Sequence, residues 1–255
     1  MTEINHLPED ALLEILSLVP ARDLILRCSR VCAYWKEIID SPTLWIIKCQ
    51  RAGYISKACK KSPSDWKKFY YICSVKRNLL RNPCAMEGMN CWTIERNGGD
   101  RWKIEDLPGE HGQHLPDEKV TQYFVTSYGM CKKSQLIALK KAGYGNRFMD
   151  AIQPAITVKD WFAPRRDCGS MYKLCVRLLS KKKQTIQEFL PEPVMMEQWS
   201  DAKWQTMTHT FRDYGPGVRY IYFQHGGQDT QFWAGWYGVR VTNSSVTIEP
   251  EDLSE

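Results

Sequence analysis

The stretch LPEDALLEILSLVPARDLILRCSRVCAYWKEIIDSPTLW, residues 7–45, decides how the chain begins. Read as a helix opening at Pro8, it repeats the apolar residues Leu12, Ile15, Leu16 and Val19 at three- and four-residue steps, which makes one stripe. Glu9 and Asp10 fall in the first turn, where the helix dipole favours negative charge, and Pro8 and Pro20 mark the two ends. A second helix is predicted from about Ala21 to Cys28, with Leu24, Ile25 and Cys28 inward. A third runs from Val31 to about Asp40, with Val31, Tyr34, Trp35, Ile38 and Ile39 on one face. Ser41-Pro42 breaks it, and Leu44-Trp45 begins the next segment. Three helices this short cannot bury all their apolar surface against one another, so a partner is expected to cover the remainder.

The same stretch closely resembles the F-box motif over its whole length, at Leu7, Pro8, Leu16, Val19, Leu24, Val31, Cys32, Trp35 and Trp45. The resemblance implies docking onto a Skp-family adaptor and, through it, a cullin–RING ubiquitin ligase. The interface it implies comprises Leu7, Pro8, Leu12, Ile15, Leu16, Val19, Leu24, Val31, Cys32 and Trp35. The plainer alternative is a helical cap on a larger domain.

Beyond residue 50 the charge changes sign. Residues 1–50 hold five Lys/Arg against seven Asp/Glu, residues 51–82 hold nine against Asp65 alone, and residues 83–255 hold 21 of each. The net charge of +6 therefore belongs to a connector rather than to a broad nucleic-acid-binding face. Ser64-Asp65 reads as a helix start, followed by Trp66, Phe69, Tyr70, Cys73 and Arg77 on one face. Three parts result: an F-box at 1–50, a basic helical linker at 51–82, and a larger domain at 83–255.

With 43% hydrophobic residues the chain has the material for a packed core. No apolar run reaches the roughly 20 residues of a membrane span, and Met1–His6 shows no basic, apolar secretory pattern, so a cytosolic or nuclear location is expected, with cytoplasmic the first choice. The ten cysteines are scattered without any C-x-x-C pair, which reads as buried reduced thiols and not as a zinc site. No cofactor motif is present.

Past residue 83 the pattern becomes that of strands. Tyr172, Leu174, Val176 and Leu178 alternate with Lys173, Cys175 and Arg177 at period two. Similar segments are Cys91–Arg96, Arg101–Leu107, Val120–Ser127, Ser134–Leu139, Thr157–Phe162, Thr185–Leu190, Thr206–Asp213, Val218–Gln224, Tyr237–Thr242 and Ser245–Ile248. One short helix is predicted near Gly145–Ala151. The fold class is α+β multidomain: three N-terminal helices, a helical linker and an antiparallel β-sandwich of jelly-roll type.

The blocks NPC at 82–84, NGGDRW at 97–102, YFVTSY at 123–128, VKDWF at 158–162, PGVRYIYFQHGGQDTQFWAGWYG at 216–238 and VTNSSV at 241–246 resemble, in order, the F-box-associated domain of the sugar-recognising F-box subfamily. In that subfamily some members bind the inner chitobiose and trimannosyl core of N-linked glycans through loops at one end of the sandwich. The resemblance places such a site at Tyr128, Phe232 and Trp233. An aromatic ring stacks on the C–H face of a pyranose, and a glycine-flanked loop can turn adjacent rings outward. Ala234 stands where some members carry a lysine; one lost hydrogen bond there costs about 1 kcal/mol, or about fivefold in affinity.

Three other patterns carry less. His225-Gly226-Gly227 is similar to the oxyanion loop of some esterases, but no G-x-S-x-G elbow accompanies it, and the glycines read as a turn. Asn243-Ser244-Ser245 is a formal glycosylation sequon that reads as a strand edge. Asp160, Asp167, His209 and His225 have no spacing that brings them together. The functional expectation is a non-catalytic ligase adaptor whose client is a high-mannose glycoprotein from the endoplasmic reticulum. The alternative keeps the adaptor role and replaces the glycan with a protein surface.

Overall fold

A computed structural model describes residues 7–55 and 62–250; Met1–His6, residues 56–61 of the connector and residues 251–255 lie outside them. The chain divides into two compact units, residues 1–76 with 249–255, and residues 77–248. Among the described residues no helix is long and apolar enough to cross a membrane.

The first unit is helical: α1 (Glu9–Leu18), α2 (Ala21–Leu26), a 3-10 turn at Cys28–Arg30, α3 (Ala33–Asp40), α4 (Pro42–Arg51) and α5 (Trp66–Val75). Its core is Leu12, Leu13, Leu16, Leu24, Ile38, Ile39, Leu44 and Trp45. The α1 stripe thus differs from the sequence reading: Leu13 turns inward and Ile15 outward, because α4 packs along that side of α1. α3 begins two residues later than expected, since Cys32 is extended and Val31 closes the preceding turn, exposed. Trp45 donates its indole N–H to the Ile39 carbonyl at 2.8 Å. Lys48, on α4, is buried and donates to the carbonyls of Ser17 (3.0 Å) and Val19 (2.7 Å). A cation there satisfies two acceptors at the α1 C-terminus and sits at the negative end of its dipole. Asp65 caps α5 by accepting from the Lys68 amide, and Trp66 and Tyr70 pack on the same core.

The second unit is two antiparallel sheets. One has the order β1 (Thr93–Asn97), β4 (Cys131–Ala138), β10 (Tyr220–Asp229), β6 (Ser170–Leu179), β7 (Thr185–Phe189), with the short β8 (Val194–Met196) also on β6. The other runs β2 (Lys103–Asp106), β3 (Gln122–Val125), β11 (Arg240–Ile248), β5 (Ile156–Ala163), β9 (Gln205–Phe211). The predicted short helix is α6 (Asn146–Ile152).

Three readings are corrected. His225-Gly226-Gly227 is not a turn but the middle of β10, where a Cβ on Gly226 would lie 2.0 Å from the Cys131 carbonyl oxygen and one on Gly227 1.9 Å from that of Met171. Asn243-Ser244-Ser245 is not at an edge but within the central strand β11. Asn243, at φ 48°, sits at the register shift that joins the two expected strands into one. Asp160 and His225 do come together, in the core.

Alternation explains that last point. Ile156, Val158, Asp160 and Phe162 all point inward from β5, so the carboxylate enters the sandwich with its apolar neighbours. Its oxygens accept from Tyr172 Oη, His225 Nδ1 and Ser244 Oγ, each at 2.6 Å. Tyr172 and His225 belong to one sheet, Asp160 and Ser244 to the other. Burial alone would raise the Asp160 carboxyl; its attraction for a proton held on His225 and the hydrogen bonds from His225, Ser244 and Tyr172 outweigh it and hold it below its ordinary value. Burial lowers His225 to about 4, aided by Lys133 and against the pull of Asp160. Its Nε2 has no hydrogen-bond partner, so a second ring proton would be an unpaired buried donor.

The histidine is therefore neutral in the folded state and becomes protonated more readily on unfolding. Its contribution to stability is full above about 6.5 and is lost as pH falls toward about 4, because the unfolded chain binds the extra proton in that window. Chemical denaturation across this range should show stability falling with pH, and His225→Gln should flatten that part of the curve. A slope identical in the variant would contradict the assignment.

Candidate functional site

Each unit presents one candidate surface. On the helical unit, Ile15, Leu18, Ile25, Leu26, Val31 and Tyr34 are exposed, from 36% for Tyr34 to 69% for Leu18. Pro8 is exposed beside them in sequence, and Leu7, Val19, Cys32 and Trp35 are half-buried. Leu12, Leu16 and Leu24, expected as contact residues, are instead 0–1% exposed and serve the unit's own core. Leu18, Ile25, Leu26 and Tyr34 were missed, with Ile25 expected inward and found exposed, because helical periodicity reports a stripe without saying which side of it faces inward. Six exposed large apolar side chains within residues 15–34 single out this segment as a candidate interaction face.

On the sandwich, the loops following β1, β3 and β10 meet at one end. Gly98 and Gly129 touch backbone to backbone: a Cβ on Gly98 would lie 2.8 Å from the Gly129 carbonyl carbon. The Asp229 amide donates to the Ser127 carbonyl at 3.1 Å, which brings Tyr128 and the 230–238 loop side by side. Phe232 and Trp233, 68% and 41% exposed, are not core residues, and Tyr128 is half-buried.

Two carboxylates hold this loop. Asp229 Oδ1 accepts the Phe232 amide at 2.6 Å and so supports its left-handed backbone at φ 57°. Burial raises the Asp229 pKa, opposed by the backbone N–H groups of Phe232, Trp233 and Gln231. Asp100 Oδ2 accepts the Gly235 amide at 2.6 Å, and the Asp100 carbonyl accepts the Trp236 indole N–H at 3.2 Å. Ser127 Oγ donates to the Gly235 carbonyl at 2.6 Å and accepts the Asp100 amide at 2.9 Å.

A second line of support comes from the side. Trp233 meets Tyr237 edge to face at 5.5 Å, and the Arg165 guanidinium lies 4.6 Å from the Tyr237 ring centre. Asp167 takes both arms of Arg165, at 2.9 and 3.1 Å. Burial would lower the Arg165 pKa, and the Asp167 bonds reverse that; the same pairing holds Asp167 low against its own burial. Neither Asp167 nor His209, which stacks on Phe189 at 4.0 Å, approaches the Asp160–His225 pair by any hydrogen bond among the described residues. That pair is itself fully buried. The arrangement turns the Phe232 and Trp233 rings outward on a loop held by carboxylates. Asp100, Ser127, Arg165 and Asp229 were not singled out from the sequence, although Asp100, Ser127 and Asp229 stand within the NGGDRW, YFVTSY and PGVRYIYFQHGGQDTQFWAGWYG blocks.

Comparison with known proteins places names beside these two surfaces. The F-box-like family matches residues 4–51, and the family described as F-box associated region matches residues 70–248. F-box only protein 6 of Bos taurus is 56% identical over 97% of this chain and 94% of its own length. F-box only protein 44 of Homo sapiens is 54% identical over 97% of each, and F-box only protein 2 of Bos taurus 45% over 97% and 84%. Among solved structures, a carbohydrate-binding module in complex with beta-1,4-galactotriose aligns with 68% of this chain and 99% of its own, at 14% identity and a TM-score of 0.43.

If the carboxylates position the loop, Asp229→Ala and Asp100→Ala should speed hydrogen exchange at the Phe232 and Gly235 amides respectively. The expected factor is about tenfold each, the scale of one hydrogen bond to a charged group. Unchanged exchange at both amides would show that the loop is held by other means.

Proposed function

The chain belongs to the F-box proteins that carry an F-box associated region, and from that premise we propose that it is the substrate-recognition adaptor of a Skp–cullin–F-box E3 ubiquitin ligase. F-box proteins are in general non-catalytic adaptors of such ligases. In this reading residues 1–50 dock on the Skp-family adaptor, 51–82 connect, and 83–255 hold the client. The exposed apolar side chains of α1, α2 and the turn before α3 support the docking role. Catalysis then comes from proximity, since a tethered client meets the ubiquitin-charged partner at a high effective concentration.

For the client we infer the core of N-linked high-mannose glycans on misfolded glycoproteins, destined for ubiquitination and degradation after export from the endoplasmic reticulum. The observation that carries this reading is the pair Phe232–Trp233, turned outward on a loop fixed by Asp229 and Asp100. Rings held rigid before binding lose little entropy when a sugar stacks on them. Ala234, exposed beside them, offers no polar contact, and it favours the second reading, in which the same rings meet a protein surface.

Two measurements test the proposal. Calorimetric titration with chitobiose should show binding that Trp233→Ala reduces at least about tenfold; absence of binding by the intact protein would favour the protein-surface reading. Co-purification with a Skp-family adaptor should be lost in the double variant Leu18→Asp, Val31→Asp, with the helical content unchanged. Full retention would move the interface elsewhere.

A further inference from the structure

Trp199 is the most exposed tryptophan among the large apolar side chains, at 71%, and it lies outside the three rings discussed so far. Its backbone is left-handed, at φ 66°, a conformation that costs a bulky residue free energy unless its surroundings enforce it. They do. Its amide donates to the Arg166 carbonyl at 2.7 Å, and the neighbouring Gln198 side chain donates to the Asp167 carbonyl at 3.0 Å. Asp167 is in turn fixed by Arg165. Farther along the same loop, the Trp204 indole donates to the Gln113 carbonyl at 2.8 Å.

The sheet places this ring beside the Phe232–Trp233 loop. β8 and β10 both pair antiparallel with β6, so they run parallel to each other and leave the sheet at the same end. Ser170 of β6 pairs with Met196 on one side and Asp229 on the other. Trp199 and Phe232 each follow by three residues. At two strand spacings, Met196 and Asp229 are about 10 Å apart. Gly169 closes the remaining gap. A Cβ there would lie 2.5 Å from Thr230 Oγ1, 3.0 Å from the Met196 carbonyl oxygen and 3.2 Å from the Gln198 amide nitrogen. The two loops pass on either side of one glycine, and its amide donates to Gln231 Oε1 at 3.0 Å.

We propose that Trp199 is a second sugar-stacking position, which takes the outer mannose rings of a glycan whose core rests on Phe232 and Trp233. This rests on the glycan reading given above. A fixed, exposed indole next to a first aromatic platform suits a ligand with several linked rings better than a single sugar. Exposed Arg166 and Glu197 flank it with groups able to read hydroxyls. A branched oligosaccharide then bridges the two loops, and its affinity exceeds that of its core because the second contact is intramolecular.

The test compares two ligands, chitobiose and a free high-mannose oligosaccharide, by titration against the full chain. The intact protein should bind the longer ligand more tightly. Trp199→Ala should lower that preference by about fivefold, the scale of one aromatic contact, and Trp199→Phe should restore part of it. A preference unchanged in Trp199→Ala, with chitobiose still bound, overturns the second position and leaves the core reading standing. Failure of the intact protein to bind chitobiose overturns the core reading and this inference with it. Thermal melting checks that each variant is folded.

Discussion

A carboxylate at the centre of an apolar sandwich is tolerated only when donors surround it, and Asp160 finds them on both sheets. Tyr172 and His225 reach it from one side and Ser244 from its own, so the two layers are tied at a single ion. Packing around this point is aromatic: Trp92 stacks on His225 at 5.1 Å, and Phe162 stacks on Tyr172 at 4.0 Å. Lys133 brings a further polar group into the same core. Its amine lies 3.3 Å from the Trp92 ring centre and 3.6 Å from that of Phe124, with burial pushing its pKa well down against the pull of Asp160. Hydrophobic contact alone would let one sheet slide over the other. A carboxylate that loses its donors by sliding makes one register far better than its neighbours.

That register is what the loop end depends on. β10 carries His225 into the core and Asp229 to the base of the 230–238 loop, four residues later on one strand. β6 carries Tyr172 to Asp160 and, two residues earlier, Ser170 to the point where the loops after β8 and β10 both leave the sheet. The rings at the surface are therefore aimed by strands whose phase is set within the core.

Much of this was legible in the sequence, and the reasons differ by element. Strand period was plain from Met171 to Leu179 because the alternation is regular there. It failed at β10, where glycines at 226 and 227 look like a turn until the close approach of flanking strands is seen. The buried network was hidden for another reason. Asp160, Lys133 and His225 sit at inward positions by simple alternation, but polar residues at such positions are read as outward unless their partners are known. On the helical unit the F-box positions were apparent, whereas the division between core and exposed face was not: it depends on α4, whose Lys48 reaches the end of α1. Asp100 and Asp229 needed three dimensions, since each acts on backbone amides that sequence does not display.

The loop that bears Phe232, Trp233 and Ala234 is gripped at its two ends, by Asp229 before and by Asp100 and Ser127 after. The hydrogen bonds of that grip are made to peptide groups, not to the side chains at the tip. Phe232 sits at φ 57° and Trp233 leans on Tyr237, so of the three Ala234 is the one whose replacement asks least of the turn, a part of the head that can be altered on a fixed handle. Residues at the tip can then be retuned one by one while the strands that carry them stay the same. Ala234, exposed between two anchored segments, marks one position where such retuning leaves the fold untouched.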